Sequence, residues 1–437
     1  MVWSRKLVSK LPLLGLLVVL GLPQKPAFSQ LAAIPDMPHP RIGMSYARIG
    51  QMVYFIGGAT QHAQNLQGFD AYDGTNIVDA FNFQTMSWDT TVAPLNTPRV
   101  FACSATIHDS IYVMGGADDS GNVVGSVEVY DPVSNSWHYR SSMLHPRKGA
   151  AAEVVDDKIL VFGGAGVLGL RKDVEEYSVA DDQWSETYEM RFGHAYHKVF
   201  MAHEHIYIFG GISDVTSIIN PYGLIEKYDP EEGASQVSVV LHTPRMLFGI
   251  AAKGDSVFVI SGLGVASAES HIELLDLHNE GEETDTELDS TLIDAPRVGF
   301  IAAVGRDGRI YLFGGVSPIF KSGQVPVATV SVISGLNVNY AAAVKQAVPS
   351  TFNLMQNYPN PFNPSTIIGY DVPPDGARVS IEVFNMLGQR VATVVDGFES
   401  GGRHYASFNG VNIPSGSYIY RMKSENGITY RKMVLIR

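Results

Sequence analysis

Cysteine is almost absent. Cys103 is the only one in 437 residues, which excludes an intramolecular disulfide, a thiolate zinc site and an iron–sulfur cluster. Charge is scarce too, at 17% of residues against 45% hydrophobic, so the chain is globular and not a disordered tail. Positive charge is the rarer sign: residues 30–351 carry 19 basic against 38 acidic side chains. That field repels a phosphate backbone, so nucleic acid is set aside as a partner. No apolar run beyond the N-terminus is long enough to cross a bilayer, so no transmembrane segment is expected in the mature chain. What is plentiful is glycine (43) and proline (23), with 10% aromatics, a composition that favours many short strands joined by tight turns.

The N-terminus reads as an address. Arg5, Lys6 and Lys10 precede an apolar stretch at residues 11–22, and Ala27-Phe28-Ser29 offers a small-x-small cleavage pattern. Residues 1–29 are thus expected to be a signal peptide, with Gln30 the mature N-terminus. An uncleaved membrane anchor is the alternative.

A period organises the next three hundred residues. Gly-Gly pairs close apolar runs at Gly57, Gly115, Gly163, Gly210 and Gly314, with a degenerate Ser261-Gly262 between the last two. The spacings are 58, 48, 47, 51 and 53 residues. An arginine precedes each pair, namely Arg41, Arg99, Arg147, Arg191, Arg245 and Arg297, by 16, 16, 16, 19, 16 and 17 residues. Phe81 and Trp88, Tyr130 and Trp137, and Tyr177 and Trp184 are each seven apart. Each unit divides into four short strands with period-2 alternation, as in Ile111, Val113, Val127 and Val129.

Pro-Arg, then Ile-Tyr-Val-Met-Gly-Gly, then Val-Glu-Val-Tyr-Asp-Pro, then Trp137 resembles the repeat signature of the kelch family. The resemblance covers residues 30–336 and implies an all-β fold, a six-bladed kelch β-propeller. Blades four and five depart from the signature: neither has the tryptophan, and blade five has lost a glycine. The sixth unit lacks a fourth strand, and residues 31–41 match the spacing of a repeat end, so the ring is expected to be closed by the N-terminal strand.

After a small-residue linker at 337–351 the composition changes. The opening string Phe352-Asn353-Leu354-Met355-Gln356-Asn357-Tyr358-Pro359-Asn360-Pro361-Phe362-Asn363-Pro364, the central Asn385-Met386-Leu387-Gly388-Gln389 and the later Pro414-Ser415-Gly416-Ser417-Tyr418 closely resemble the C-terminal sorting domain of the type IX secretion system of Bacteroidetes and their relatives. Alternating short strands over 352–437 predict a small Ig-like β-sandwich. An accessory sugar-binding sandwich is the alternative. The resemblance implies partners in the type IX secretion machinery and its sortase. It also implies a protein secreted or held at the outer-membrane cell surface, reached by Sec export and the periplasm.

Residues able to carry chemistry are few. The six repeat arginines are candidates to surround a central channel and bind carboxylates bidentately; the alternative is that each anchors its own blade. His203 and His205, two apart, are weak candidates for a metal pair on one strand face. His194 and His197 share that blade. The acidic run of Glu280, Glu282, Glu283, Asp285, Glu287 and Asp289 and the loops 70–76 and 118–122 have a calcium-like composition, but solvated loops and turns account for them equally. Cys103, inside a strand, packs as a small apolar side chain, and no tyrosine–histidine set for copper is identifiable. No catalytic motif stands out, and no metal or cofactor is expected. The expectation is an exported binding module for a protein or glycan. A sugar-active enzyme like the sialic acid mutarotases is the alternative, and a copper oxidase a more remote one.

Overall fold

The structure is a computed structural model. It describes residues 34–436 apart from 62–71, 214–220, 266–267, 278–283, 289–292, 294, 317–325, 334–350, 358–359, 374–375, 400–401 and 425–426. The expected signal peptide, the expected linker, the start of the segment expected to close the ring and most of the acidic run therefore lie outside the described residues. Every regular element described is a β-strand.

The repeat becomes a set of antiparallel sheets. The second unit is the simplest: Cys103–Ile107, Ser110–Met114, Val127–Asp131 and Ser136–Arg140 pair in chain order. Its alternation sends Val127 and Val129 into a core shared with Ile159, Val161 and Tyr177 of the next sheet. Ile111 and Val113 go to the opposite face, against Tyr54, Ile56 and Val78 of the preceding one. Both faces are covered, which is why the middle strands read as near-continuous apolar runs. Equivalent four-stranded sheets span residues 45–89, 151–189, 198–240 and 249–288, and a three-stranded sheet spans 301–333.

The seven-residue aromatic spacing is a cross-strand pair. Phe81 faces Trp88, Tyr130 faces Trp137 and Tyr177 faces Trp184 between third and fourth strands. The indole N–H groups of Trp88, Trp137 and Trp184 donate to the carbonyls of Pro35, Ala93 and Ser141, at 3.0, 2.8 and 2.7 Å. Trp137 and Trp184 thereby hold the segment arriving from the sheet before, and Trp88 holds the N-terminal segment.

The glycine pairs serve close approach. Gly115 and Gly116 have φ of 66° and 99°, and a Cβ on Gly115 would lie 2.4 Å from the Arg147 carbonyl. Both facts select glycine.

The C-terminal segment forms two sheets around one core. Asn353–Leu354, Ser365–Val372 and Gly402–Asn409 make one; Arg390–Glu399, Ala377–Asn385, Gly416–Ser424 and Gly427–Leu435 make the other. Leu354, Ile368, Tyr370 and Phe408 of the first meet Val379, Ile381, Val383, Tyr420 and Met433 of the second. The quoted motifs have structural jobs. The Asn385 side chain accepts the N–H of Leu387 and of Gln389 at 3.0 Å each, closing a hairpin turn. The Tyr420 hydroxyl donates to the Met355 carbonyl at 2.7 Å and accepts the Asn357 N–H at 2.6 Å, fixing the opening string to the sheet.

Candidate functional site

The repeat arginines lie inside the sheets. Arg99 donates to the carbonyls of Gly115 and Ser126 at 3.0 Å and to Glu128 on the third strand at 2.6 Å. Arg41 does the same to Gly57, Ile77 and Asp79, at 2.7, 2.5 and 2.6 Å. Arg147 reaches Gly163, Asp173 and Glu175, and Arg245 reaches Ser261, His271 and Glu273. Arg297 donates to the Gly314 and Thr329 carbonyls and the Ser331 hydroxyl. All five are buried, and burial outweighs Asp79 enough to bring Arg41 down to about 10. Their hydrogen-bonding capacity goes to their own sheet, as the blade-anchoring alternative has it.

Arg191 is the exception. Its side chain is exposed and donates to the Ser407 hydroxyl at 2.8 Å. The buried place in its sheet belongs to His194, whose Nδ1 donates to the Gly210 carbonyl at 2.9 Å and whose Nε2 meets Glu226 at 2.8 Å. The irregular spacing carried the signal. His194 stands 16 residues before Gly210, as the arginines of four other repeats do before their pairs, whereas Arg191 stands 19 before.

The carboxylates were missed by sequence reasoning. Glu128 accepts the backbone N–H of Asn96 and Thr97, Glu175 those of Leu144 and His145, and Glu273 those of His242 and Thr243, at 2.7–3.1 Å. Each clamps the connection from the previous sheet while holding its own cation. Their signal was an acid two residues before the aromatic, as in Asp79-Ala80-Phe81 and Glu175-Glu176-Tyr177.

Two residues after each buried arginine, and after His194, the backbone turns to positive φ at Gly43, Phe101, Gly149, Tyr196, Leu247 and Gly299. These six positions form a closed hydrogen-bonded circuit. The N–H of each donates to the carbonyl of its counterpart in the preceding sheet, and Gly43 completes the circuit by donating to Gly299, at 2.7–3.2 Å. Phe101, Tyr196 and Leu247 are buried together with Tyr72 and Met246, the rings of Phe101 and Tyr196 meeting edge-on at 5.2 Å. They close one end of the space between the first strands.

That space is a cavity of about 220 Å³, narrowing to a pocket of about 50 Å³ against the circuit. Four residues beyond each buried arginine and beyond His194, its wall carries Ser45, Cys103, Ala151, Lys198, Gly249 and Ile301. Burial lowers the Lys198 ammonium below the ordinary lysine value. His197 is held well below the ordinary imidazole value by burial first, then by His194 and Lys198. Burial pushes the Cys103 thiol up to about 12, so it is no ready nucleophile.

The other candidates are scattered. His203 sits in a two-residue turn with φ 47° and His205 on the strand His205–Phe209, so the two do not share a strand face as expected. Asp118 uses its carboxylate on its own turn, accepting Ser120 and Asn122 N–H groups at 2.9 and 2.8 Å. His145, Asp173 and Glu175 bring ligand atoms within 4.8 Å of one another, but Arg147 already pairs with both carboxylates.

Repeated four-stranded sheets, each locked by a buried arginine or histidine and a third-strand acid, define a kelch-type repeat protein. Residues 43–262, just over half of the chain, match the KLHDC2/KLHL20/DRC7 Kelch-repeats domain, and the chain belongs to that family. Residues 356–437 match the secretion system C-terminal sorting domain of type IX export. Similar proteins include alpha-scruin of Limulus polyphemus, 26% identical over 58% of this chain and 28% of that protein. Kelch-like protein 36 of Bos taurus is 25% identical over 52% of this chain and 36% of that protein. The chain thus spans about a quarter to a third of the length of these relatives. The solved structure of YjhT aligns with a TM-score of 0.54 at 17% identity, covering 69% of this chain and 97% of that one, a likeness of fold. The sorting domain implies the type IX machinery as a partner and secretion or the outer-membrane surface as the destination.

Proposed function

We propose that the chain is an exported binding module, a six-bladed propeller whose variable loops recognise a protein or glycan, with an Ig-like sandwich as its sorting signal. Sec export brings it to the periplasm, and a sortase acts at the sorting domain. The circuit through six sheets supports the blade count. The Met37 N–H donated to the Ala328 carbonyl at 2.8 Å, beside the three-stranded sheet, supports closure by the N-terminal segment.

One observation carries the binding role. At one end of the sheets the hairpins are short and regular, with two-residue turns at His108-Asp109, Asp156-Asp157 and His203-Glu204. At the other end the connections between second and third strands vary, spanning 57–77, 115–126, 163–172, 210–223, 261–271 and 314–330. Scaffold turns held constant against loops that vary from repeat to repeat are the pattern of a recognition face. Val167 and Leu168, 84% and 101% exposed, stand at the tip of one such loop, and Val265 is exposed on another. At the same end the channel is filled by Phe101, Tyr196 and Leu247, with the arginines and acids committed to the sheets, so no acid–base set converges there among the described residues.

The test is a screen of residues 30–437 against arrays of polysaccharides and extracellular proteins, with a turnover assay on small sugars alongside. Saturable binding that weakens about tenfold in the Val167→Ser/Leu168→Ser double variant is expected. Turnover of a sugar, or binding indifferent to that loop, would overturn the reading.

A further inference from the structure

The repeat supplies its own control for the group around His145. In the second unit the side chains at the matching places satisfy one another: Thr97 Oγ1 and the Tyr139 hydroxyl lie 3.0 Å apart, and Ser126 accepts from Arg99 at 3.1 Å. The third unit has His145, Glu186 and Asp173 at those places, with Glu175 standing where the second has Glu128. No other unit has an acid at the Asp173 position, where Ile77, Ser126, Leu224, His271 and Thr329 stand. Glu175 and Glu186 are directly opposite on adjacent strands, a like-charge pairing that is destabilising unless something offsets it. His145 Nδ1 is buried and makes no hydrogen bond among the described residues, whereas Nδ1 of the corresponding His39 meets Asp79 at 2.9 Å.

That nitrogen lies among carboxylates. It is 3.3 Å from Glu186 Oε1, 3.4 Å from Glu175 Oε1 and 3.7 Å from Asp173 Oδ2. Bonds of ~2.1 Å from a tetrahedral zinc put its ligand atoms about 3.4 Å apart, so the separations are those of atoms grouped around a cation. Arg147 approaches Asp173 and Glu175 from inside the sheet, its side chain fully buried, while His145 and Glu186 are 36% and 56% exposed and stand towards solvent. Three carboxylates share two guanidiniums there, Arg147 and Arg171, which leaves one negative charge over. An imidazole nitrogen among carboxylates suits zinc, whereas magnesium and calcium take oxygen ligands.

We propose that His145, Asp173 and Glu175 bind a zinc ion, with Glu186 as the fourth ligand. The ion ties the connection entering the third sheet to that sheet's third and fourth strands. Asp173 begins the strand that follows residues 163–172, so the ion braces the base of that loop whatever the loop recognises.

The experiment is metal analysis and calorimetric titration of untagged residues 30–437, stripped with a chelator, against zinc, magnesium and calcium. One zinc per chain is expected to bind at micromolar concentration, with magnesium and calcium at least a hundredfold weaker. His145→Gln should abolish stoichiometric zinc binding with parental circular dichroism. Cobalt in place of zinc should give the visible bands of a tetrahedral nitrogen–oxygen site, and His145→Gln should remove them. The exposed Glu186→Gln should weaken zinc at least tenfold, and it carries the test if His145→Gln does not fold. The double variant His203→Gln/His205→Gln should bind like the parent. Zinc binding unchanged in His145→Gln or in Glu186→Gln, its loss in the His203/His205 double variant, calcium binding as tightly as zinc, or no saturation at submillimolar zinc would each overturn the proposal.

Discussion

At His197 the energetics are set by burial. Burial first, then His194 and Lys198, hold the imidazole well below its usual range. In the unfolded chain the same group takes up a proton near pH 6.5. The folded pKa is therefore the lower one, and the unfolded state binds more protons on acidification. The stability is fully present above about pH 6.5 and is lost as the pH falls towards the folded value, by up to ~1.4 kcal/mol per pH unit. The equivalent positions, three residues after the buried cation, are Phe248 and Phe300 in the next two sheets, so phenylalanine suits the backbone there. Urea unfolding of His197→Phe between pH 5 and 7 should show a shallower acid slope than the parent by about that amount; parallel slopes would mean that His197 is protonated in the fold. None of this was legible in the sequence. His197 was visible as a residue, but its burial against Gly211 and the His194 ring depends on how the sheet folds around it. Arg191 shows the converse: a strong motif match hid the 16-residue spacing that assigns its place to His194.

The strand pattern was legible because it rests on local chemistry. The glycine pairs, the aromatic seven-residue tie and the alternation each constrain a few neighbouring residues, and all three reappear as turns, cross-strand pairs and two-faced sheets. The acids that lock each unit were not, because Glu128 reads as an ordinary charged position until the third strand is folded against Arg99. Within a unit the glycines are the least replaceable elements. Gly116 has φ 99°, and a Cβ there would stand 2.8 Å from the Val100 carbonyl and 3.2 Å from the Ala102 Cβ, neither of which can swing aside. Gly116→Ala should cost about 2–4 kcal/mol in chemical unfolding, from positive φ and backbone overlap together. Ser261 marks the one tolerated departure: at φ 51° it offsets the strain by donating to the carbonyls of Glu269 and Arg297, at 2.7 and 3.0 Å. A cost below 1 kcal/mol at Gly116 would show that the close approach is not rigid.

Across the whole molecule, the hydrophobic clusters divide cleanly at the linker. Among the described residues, the core of the C-terminal sheets draws on residues from 352 onward, and the clusters of the repeat on residues up to 333. A chain whose cores do not interpenetrate can lose one domain without unfolding the other. Destination and fold are thus separable: the repeat supplies the body that folds on its own core, and the segment matched at 356–437 supplies the sorting signal. Deleting 352–437 should leave a cooperatively unfolding repeat domain with the parent's β-sheet circular dichroism. In a host with a type IX system that protein should accumulate in the periplasm, protected from protease added to intact cells. The full chain should appear outside or on the surface, accessible to the same protease. Finding the truncated protein outside in parental amounts would remove the sorting role from the C-terminal sheets. Finding it aggregated would show instead that the repeat depends on them to fold, against the separation of the cores.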